Sequence, residues 1–169
     1  MRIYVPATLA MLRKLVAEEV LHPLGGTAFA LTSALRESYT SGDTEELEYV
    51  AMRDAARASL RLLAIELSGD QPAWARRVVI AADTENAVPR PDLDDAAVRV
   101  SGEIPFSAVA AVHIDDPEAE YAVRQAAAVV DEADLGNLDA EFVLGEAEDH
   151  ELSWYDPSEL AFMLELLDL

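Results

Sequence analysis

Residues 76–83, RRVVIAAD, constrain the fold more than any other segment of this chain. The five residues from 78 to 82 are all apolar and include β-branched side chains, a composition typical of a strand. An apolar run without polar alternation is typical of a strand that is covered on both faces of its sheet. The segment therefore predicts a central strand in a sheet with other layers packed on it.

Strand-like and helix-like patterns alternate along most of the remaining chain. Residues 2–5, 27–32, 96–104 and 111–115 have strand patterns, and amphipathic helix patterns lie between several of them. A final pair of strands is predicted at 140–147 and 151–156. The alternation favours an α/β fold. We predict a single domain of residues 1–169, with a mixed five- or six-stranded sheet and helices on one or both faces.

Polar residues mark the beginnings of the predicted helices. Thr8 is the predicted N-cap of the first helix, and Asp43 begins an acidic capping box for the longest helix, residues 43–67. Asp116 and Asp156 each precede a proline at a first helical position. The core face of the longest helix is predicted to carry Leu47, Val50, Ala51, Ala55, Ala58, Leu62 and Ile65.

The charge is divided unevenly between the two halves of the chain. Residues 1–81 hold 10 acidic and 9 basic side chains, whereas residues 82–169 hold 23 acidic and 3 basic ones, and no Lys or Arg follows Arg124. Phosphate recognition needs clusters of Lys and Arg, so direct binding to nucleic acid or to an anionic membrane is not expected. The acidic half instead predicts a non-enzymatic interaction or regulatory module with a basic protein partner.

Several classes of function have no motif in this chain. The sequence contains no cysteine, no G-x-G-x-x-G segment and no P-loop. No apolar run approaches membrane-spanning length, and the N-terminus has no cationic leader, so we expect a cytoplasmic protein. The sequence predicts no particular cofactor. It leaves open the oligomeric state and whether the protein is an enzyme.

A carboxylate and histidine rim is the candidate for catalysis. His113 and Asp115 would point to one face of a strand, and Asp83 follows the apolar strand directly. If these strands are parallel neighbours, their carboxyl ends meet at one edge, where open α/β sheets bind ligands. Such a set could hold a divalent cation or activate a water molecule. The spacing matches no diagnostic metal motif.

An arginine stripe on the longest helix is the candidate for ligand binding. Arg53, Arg57 and Arg61 recur every four residues, and only Asp54 lies close enough on the helix to relieve Arg57. The protein's own acidic half could neutralise the stripe, which is the interpretation we favour. A phosphate-bearing or other anionic ligand could do so instead, and Arg36 would extend that site. A partner protein is the third alternative.

Two adjacent aromatic residues, Trp154 and Tyr155, precede the last predicted helix. Side chains of this type usually close a core, and we predict that role here. The alternative is an exposed binding surface rimmed by acidic residues.

Five segments together resemble a known family: MRIYVPATLAML, SGDTEELEYVAMRDAARASLRLLA, RRVVIAAD, VHIDD before a helix, and the closing WYDPSEL. Over its whole length the chain resembles an uncharacterised actinobacterial protein family of about this size. The resemblance implies a bacterial cytoplasmic protein and nothing about mechanism.

Overall fold

A computed structural model describes residues 1–167 and contains two sheets. The larger has seven strands in the order β5-β6-β3-β1-β4-β8-β9, and β2 pairs with β7 in the smaller one. The strands are β1 (Arg2–Ala7), β2 (Val20–Leu21), β3 (Thr27–Ala30), β4 (Val78–Asp83), β5 (Ala87–Pro89), β6 (Ala97–Val100), β7 (Ile104–Pro105), β8 (Val109–Ile114) and β9 (Ser153–Tyr155). The helices are α1 (Leu9–Glu18), α2 (Ser33–Glu37), α3 (Thr44–Leu67), α4 (Glu120–Asp134), α5 (Leu138–Glu148) and α6 (Leu160–Leu166).

The α/β class is confirmed, but the prediction of a mixed five- or six-stranded sheet is wrong. The larger sheet has seven strands, and every pairing between its neighbours is antiparallel. The strand of this sheet that was not predicted is β5, a short strand at one edge, whereas β9 at the other edge lies within the predicted strand at 151–156. The apolar run of β4 indicates that the strand is covered on both faces. Parallel and antiparallel sheets both contain such strands when helices pack on both sides, so the run does not specify strand direction.

Helices do cover both faces of the sheet. Side chains alternate along β1, so successive residues pack against helices on opposite faces. Ile3 and Val5 are fully buried against α1 and α6, whereas Tyr4 points to the opposite face and packs in the cluster formed with α3. Each fully buried aliphatic side chain of this kind contributes about 1.5–3 kcal/mol. The α4–α5 hairpin then packs against the C-terminal half of α3 through Leu60 and Leu63. Across residues 1–167, no helix has the length and apolar character that a bilayer crossing would need.

The inward face of α3 agrees with the prediction only over its first turns. Leu47, Ala51 and Ala55 are buried, but Ile65 is 68% exposed. Beyond Ala55 the buried side chains are Ala56, Ser59, Leu60 and Leu63. The inward face includes the polar residue Ser59, so a prediction based on apolar spacing alone does not identify it. The Ser59 hydroxyl donates to the Ala7 carbonyl (2.7 Å) and accepts the Val78 N–H (3.1 Å), so it joins α3 to β1 and β4.

The predicted strand at 140–147 is wrong, since this segment is part of α5. Asn137 caps the helix by accepting the Ala140 N–H at 2.9 Å. Gly136, with φ of +94°, makes the turn after α4. The apolar side chains Leu138 and Phe142 lie on the exposed side of α5, and they obscure the helical pattern.

A buried ion pair between Arg77 and Asp115 joins the start of β4 to the end of β8. The guanidinium donates two hydrogen bonds of 2.8 Å to the carboxylate, which also accepts the Arg77 backbone N–H at 2.7 Å. The two side chains are 3% and 0% exposed. A third guanidinium hydrogen bond, to the His150 carbonyl (2.8 Å), holds the segment that follows α5.

We expect Asp115→Asn to reduce the free energy of unfolding by about 3–5 kcal/mol, because it leaves the buried Arg77 without its counter-charge. Urea denaturation followed by circular dichroism measures the change. Asp92→Asn is the control, because Asp92 pairs with Arg90 at the surface (2.7 Å) and should have no measurable effect. Equal midpoints for Asp115→Asn and wild type would contradict this role of the pair.

Candidate functional site

The predicted carboxylate and histidine rim does not form. Its premise was parallel strands, but β4 and β8 are antiparallel, so their carboxyl ends lie at opposite edges of the sheet. Val78 at the start of β4 pairs with Ile114, which places Asp115 at the opposite end of β4 from Asp83. Across residues 1–167, no three His, Asp or Glu side chains are grouped so as to hold a metal ion.

Each member of the proposed rim has different surroundings. Asp83 is exposed and accepts hydrogen bonds from the Arg2 guanidinium (2.8 and 3.2 Å), which lowers the pKa of that carboxyl. Asp115 is bound by Arg77 as described. His113 is half-buried, and burial lowers the pKa of its imidazole because the charged form loses water. These residues have no common site.

Two members of the arginine stripe already bind acidic side chains of the same chain. Asp134 accepts hydrogen bonds from Arg57 (3.0 and 3.2 Å) and from Arg61 (2.7 and 2.9 Å). Glu141 accepts two more from Arg57, at 2.7 and 3.2 Å. We call these four residues the hairpin network, since they join α3 to the α4–α5 hairpin. The network confirms that the acidic half neutralises this part of the stripe.

The same contacts shift the ionisation of the network. The hydrogen bond to Glu141 raises the pKa of Arg57. Hydrogen bonds from Arg61 and then Arg57 lower the pKa of Asp134, and Arg57 lowers that of Glu141. An anionic ligand at Arg57 or Arg61 would have to displace these carboxylates. Two of the four arginines of the predicted anion site, Arg57 and Arg61, are therefore already paired with carboxylates of the same chain.

The remaining two arginines of that candidate site are more exposed. Arg53 is 59% exposed, and its nearest carboxylate is Glu148 at 3.9 Å. Arg36 donates to the Thr44 hydroxyl at 3.3 Å. A ligand role for these two side chains stays a prediction.

A cleft of about 400 Å³ lies between α3 and the segment that joins α5 to β9. Its floor includes apolar side chains of α3 and Leu152, and Arg77 forms part of its wall. The exposed tyrosines Tyr39 and Tyr49 lie at its edge. Polar side chains that line it include Arg53, Asp54, Glu148, His150 and Glu151. We call this space the Asp54 cleft.

Sequence reasoning gave Asp54 no part in a binding site. Asp54 was expected to relieve Arg57, but Arg57 turns to Asp134 and Glu141 instead. Burial raises the pKa of Asp54 to about 6, and the nearby Asp94 adds to the rise. No local pattern could have indicated this, because the burial depends on elements far apart in the chain.

A second feature is an apolar surface on the outer side of α5. Leu135, Leu138 and Phe142 are 88%, 83% and 71% exposed. Leu138 and Phe142 lie one turn apart on the same face of the helix. The exposed charged residues of α5 and the turn that follows it are Asp139, Glu146, Glu148 and Asp149. We call Leu135, Leu138 and Phe142, together with Asp139, Glu146 and Asp149, the α5 surface.

Of the two predicted core aromatics, only Tyr155 packs against the core. Trp154 is 58% exposed on β9, beside His113 of β8. Successive side chains of a strand point to opposite faces, so Trp154 and Tyr155 have different surroundings. The prediction that both close the core is wrong for Trp154.

Asp134→Asn should lower the free energy of unfolding at pH 7 by about 0.5–1 kcal/mol, since Asp134 holds two partly exposed arginines. The folded pKa of Asp134 lies below the ordinary value of 3.8. Its contribution is therefore present above that value and is lost as the pH falls through the folded pKa. Urea titrations of the variant and wild type at pH 7 and pH 3 measure both effects.

Asp131→Asn is the matched control, because Asp131 is exposed on α4 and makes no ion pair within residues 1–167. An equal loss from both variants would mean that charge number, and not the hairpin network, determines the effect.

The comparisons with other proteins show a family without an assigned activity. No curated protein and no solved structure matches the chain. A family model matches residues 1–164, which agrees with the uncharacterised family expected from the sequence. The chain belongs to the family of unknown function DUF6912.

Proposed function

We propose that this protein is a non-enzymatic interaction module that binds a basic segment of a partner protein on its α5 surface. The observation that carries the proposal is the exposure of Leu138 (83%) and Phe142 (71%) on a helix whose exposed charges are all acidic. Large apolar side chains rimmed by charge are typical of interaction sites.

The helix that carries the surface is held rigidly from its other side. Ala140, Leu144 and Ala147 are buried against α4 and α3. Glu141 is bound by Arg57. The outer side chains therefore do not have to order the helix when a partner binds, which lowers the entropic cost of association.

Charge complementarity identifies the chemistry of the partner. No Lys or Arg follows Arg124, so the part of the chain that forms α5 contributes no basic side chain to its own surface. The arginines that approach α5 come from α3 and lie on its inner side. The surface therefore favours a Lys- and Arg-rich segment that places apolar side chains between its charges, for which electrostatic attraction increases the association rate.

Affinity capture from lysate tests the proposal with three baits: the wild type, Leu138→Ser with Phe142→Ser, and Phe162→Ala. Phe162 is the matched control, because it is also exposed (64%) but lies on α6. We expect a stoichiometric basic protein to bind the wild type and the Phe162 variant at low salt. The double variant and high salt should both release it, since each removes one component of the recognition.

Cross-linking with mass spectrometry should then place a Lys-rich segment of that protein against Asp139, Glu146 or Asp149. Thermal unfolding of the double variant should remain close to wild type, because substitutions at exposed positions change stability little. Retention of the partner at high salt, or equal capture by the double variant, would contradict the proposal.

A further inference from the structure

We infer that the Asp54 cleft binds a small organic cation, an amine or guanidine with an apolar or aromatic body, and that Asp54 is its counter-ion. This site is separate from the α5 surface: the cleft lies on the inner side of α5, toward α3, and the proposed docking surface lies on the outer side. The inference therefore goes beyond the proposed function and does not depend on it.

The Asp54 carboxylate receives no hydrogen bond from the part of the chain that the structure describes. The carboxylate is half-buried, yet within residues 1–167 it accepts no hydrogen bond and forms no ion pair of 4 Å or less. Arg57, one turn further along α3, is bound to Asp134 and Glu141. Arg53 is its neighbour in sequence, and adjacent helical side chains do not face each other. Its oxygens are still reached by solvent, since no buried side-chain oxygen of the described residues is without a partner, but burial disfavours the charged form of the carboxyl. A cation bound against the carboxylate would stabilise that charged form.

The charges around the cleft favour a cation over an anion. Arg57 is matched by Asp134 and Glu141, and Arg77 by Asp115, so neither guanidinium is free to receive an anion. Arg53 faces Glu148. The charged and titratable groups that line the cleft with Asp54 are Arg53, Arg57, Arg77, Glu141, Glu148, His150 and Glu151. Asp94 and Arg61 lie near Asp54 outside this cleft; Asp94 raises the pKa of Asp54, whereas Arg53, Arg61 and Arg57 lower it without reversing the effect of burial.

The shape of the cleft indicates the body of the ligand. Its volume of about 400 Å³ is in the range of small-molecule sites. Val50, Met52 and Leu152 provide apolar contacts within it. Tyr39 and Tyr49 are 46% and 47% exposed at its edge, where an aromatic face can contact a cation or a flat ring.

Calorimetric titration of the full-length chain with tyramine and agmatine tests the inference. Tyrosol, which replaces the ammonium of tyramine by a hydroxyl, is the matched neutral probe. We expect at least one of the two cations to bind at pH 7.5 and tyrosol to bind at least tenfold more weakly. Binding of the cation should weaken about tenfold at pH 5, because a carboxyl with a pKa of about 6 is then about nine-tenths protonated.

Asp54→Asn keeps the shape of the side chain and removes its charge. It should weaken cation binding about tenfold at pH 7.5 and remove most of the difference between the two pH values. Asp131→Asn, outside the cleft, should change neither. The inference is overturned if neither cation binds at millimolar concentration, if tyrosol binds as well as tyramine, or if Asp54→Asn binds like the wild type. Each outcome is independent of partner capture by the α5 surface.

Discussion

The buried pair of Arg77 and Asp115 is the interaction on which the positions of both candidate sites depend. It fastens the start of β4 to the end of β8, and its remaining guanidinium hydrogen bond holds the His150 carbonyl. That carbonyl belongs to the segment between α5 and β9 that forms one side of the Asp54 cleft. Since burial of one charge without the other is strongly unfavourable, the pair restricts these three segments to one arrangement.

The hairpin network separates the acidic side chains of the α4–α5 hairpin into a paired group and an exposed group. Asp134 and Glu141 face α3, where Arg57 and Arg61 neutralise them. Asp139, Glu146 and Asp149 remain exposed on the opposite side. One helix, α5, thus presents a charge-balanced inner side and an acidic, apolar outer side. The net charge of −21 describes neither side by itself.

Local patterns predicted several elements correctly. Thr8 accepts the Met11 N–H and Asp43 accepts the Glu46 N–H, as expected of helix caps. The strand at 78–83 and the helix that begins at Thr44 also agree with the predictions. The failures have physical causes. The exposed Leu138 and Phe142 obscured α5, and antiparallel pairing separated Asp83 from Asp115, although each has the local position that was predicted for it.

The sequence by itself determined the α/β class, the caps at Thr8, Asp43 and Asp156, the two-sided burial of β4 and the division of charge, because these depend on neighbouring residues or on composition. The predicted cap at Asp116 is wrong in its contact, since this side chain makes no cap hydrogen bond and accepts the Ser153 hydroxyl instead. Only the tertiary structure decided which strands are neighbours and in which direction they run. It also decided which carboxylates bind the arginines of α3, and that Asp54, although half-buried, accepts no hydrogen bond from residues 1–167. The physical reason is that burial and ion pairing depend on distances between segments far apart in the chain, and local propensity carries no information about those distances.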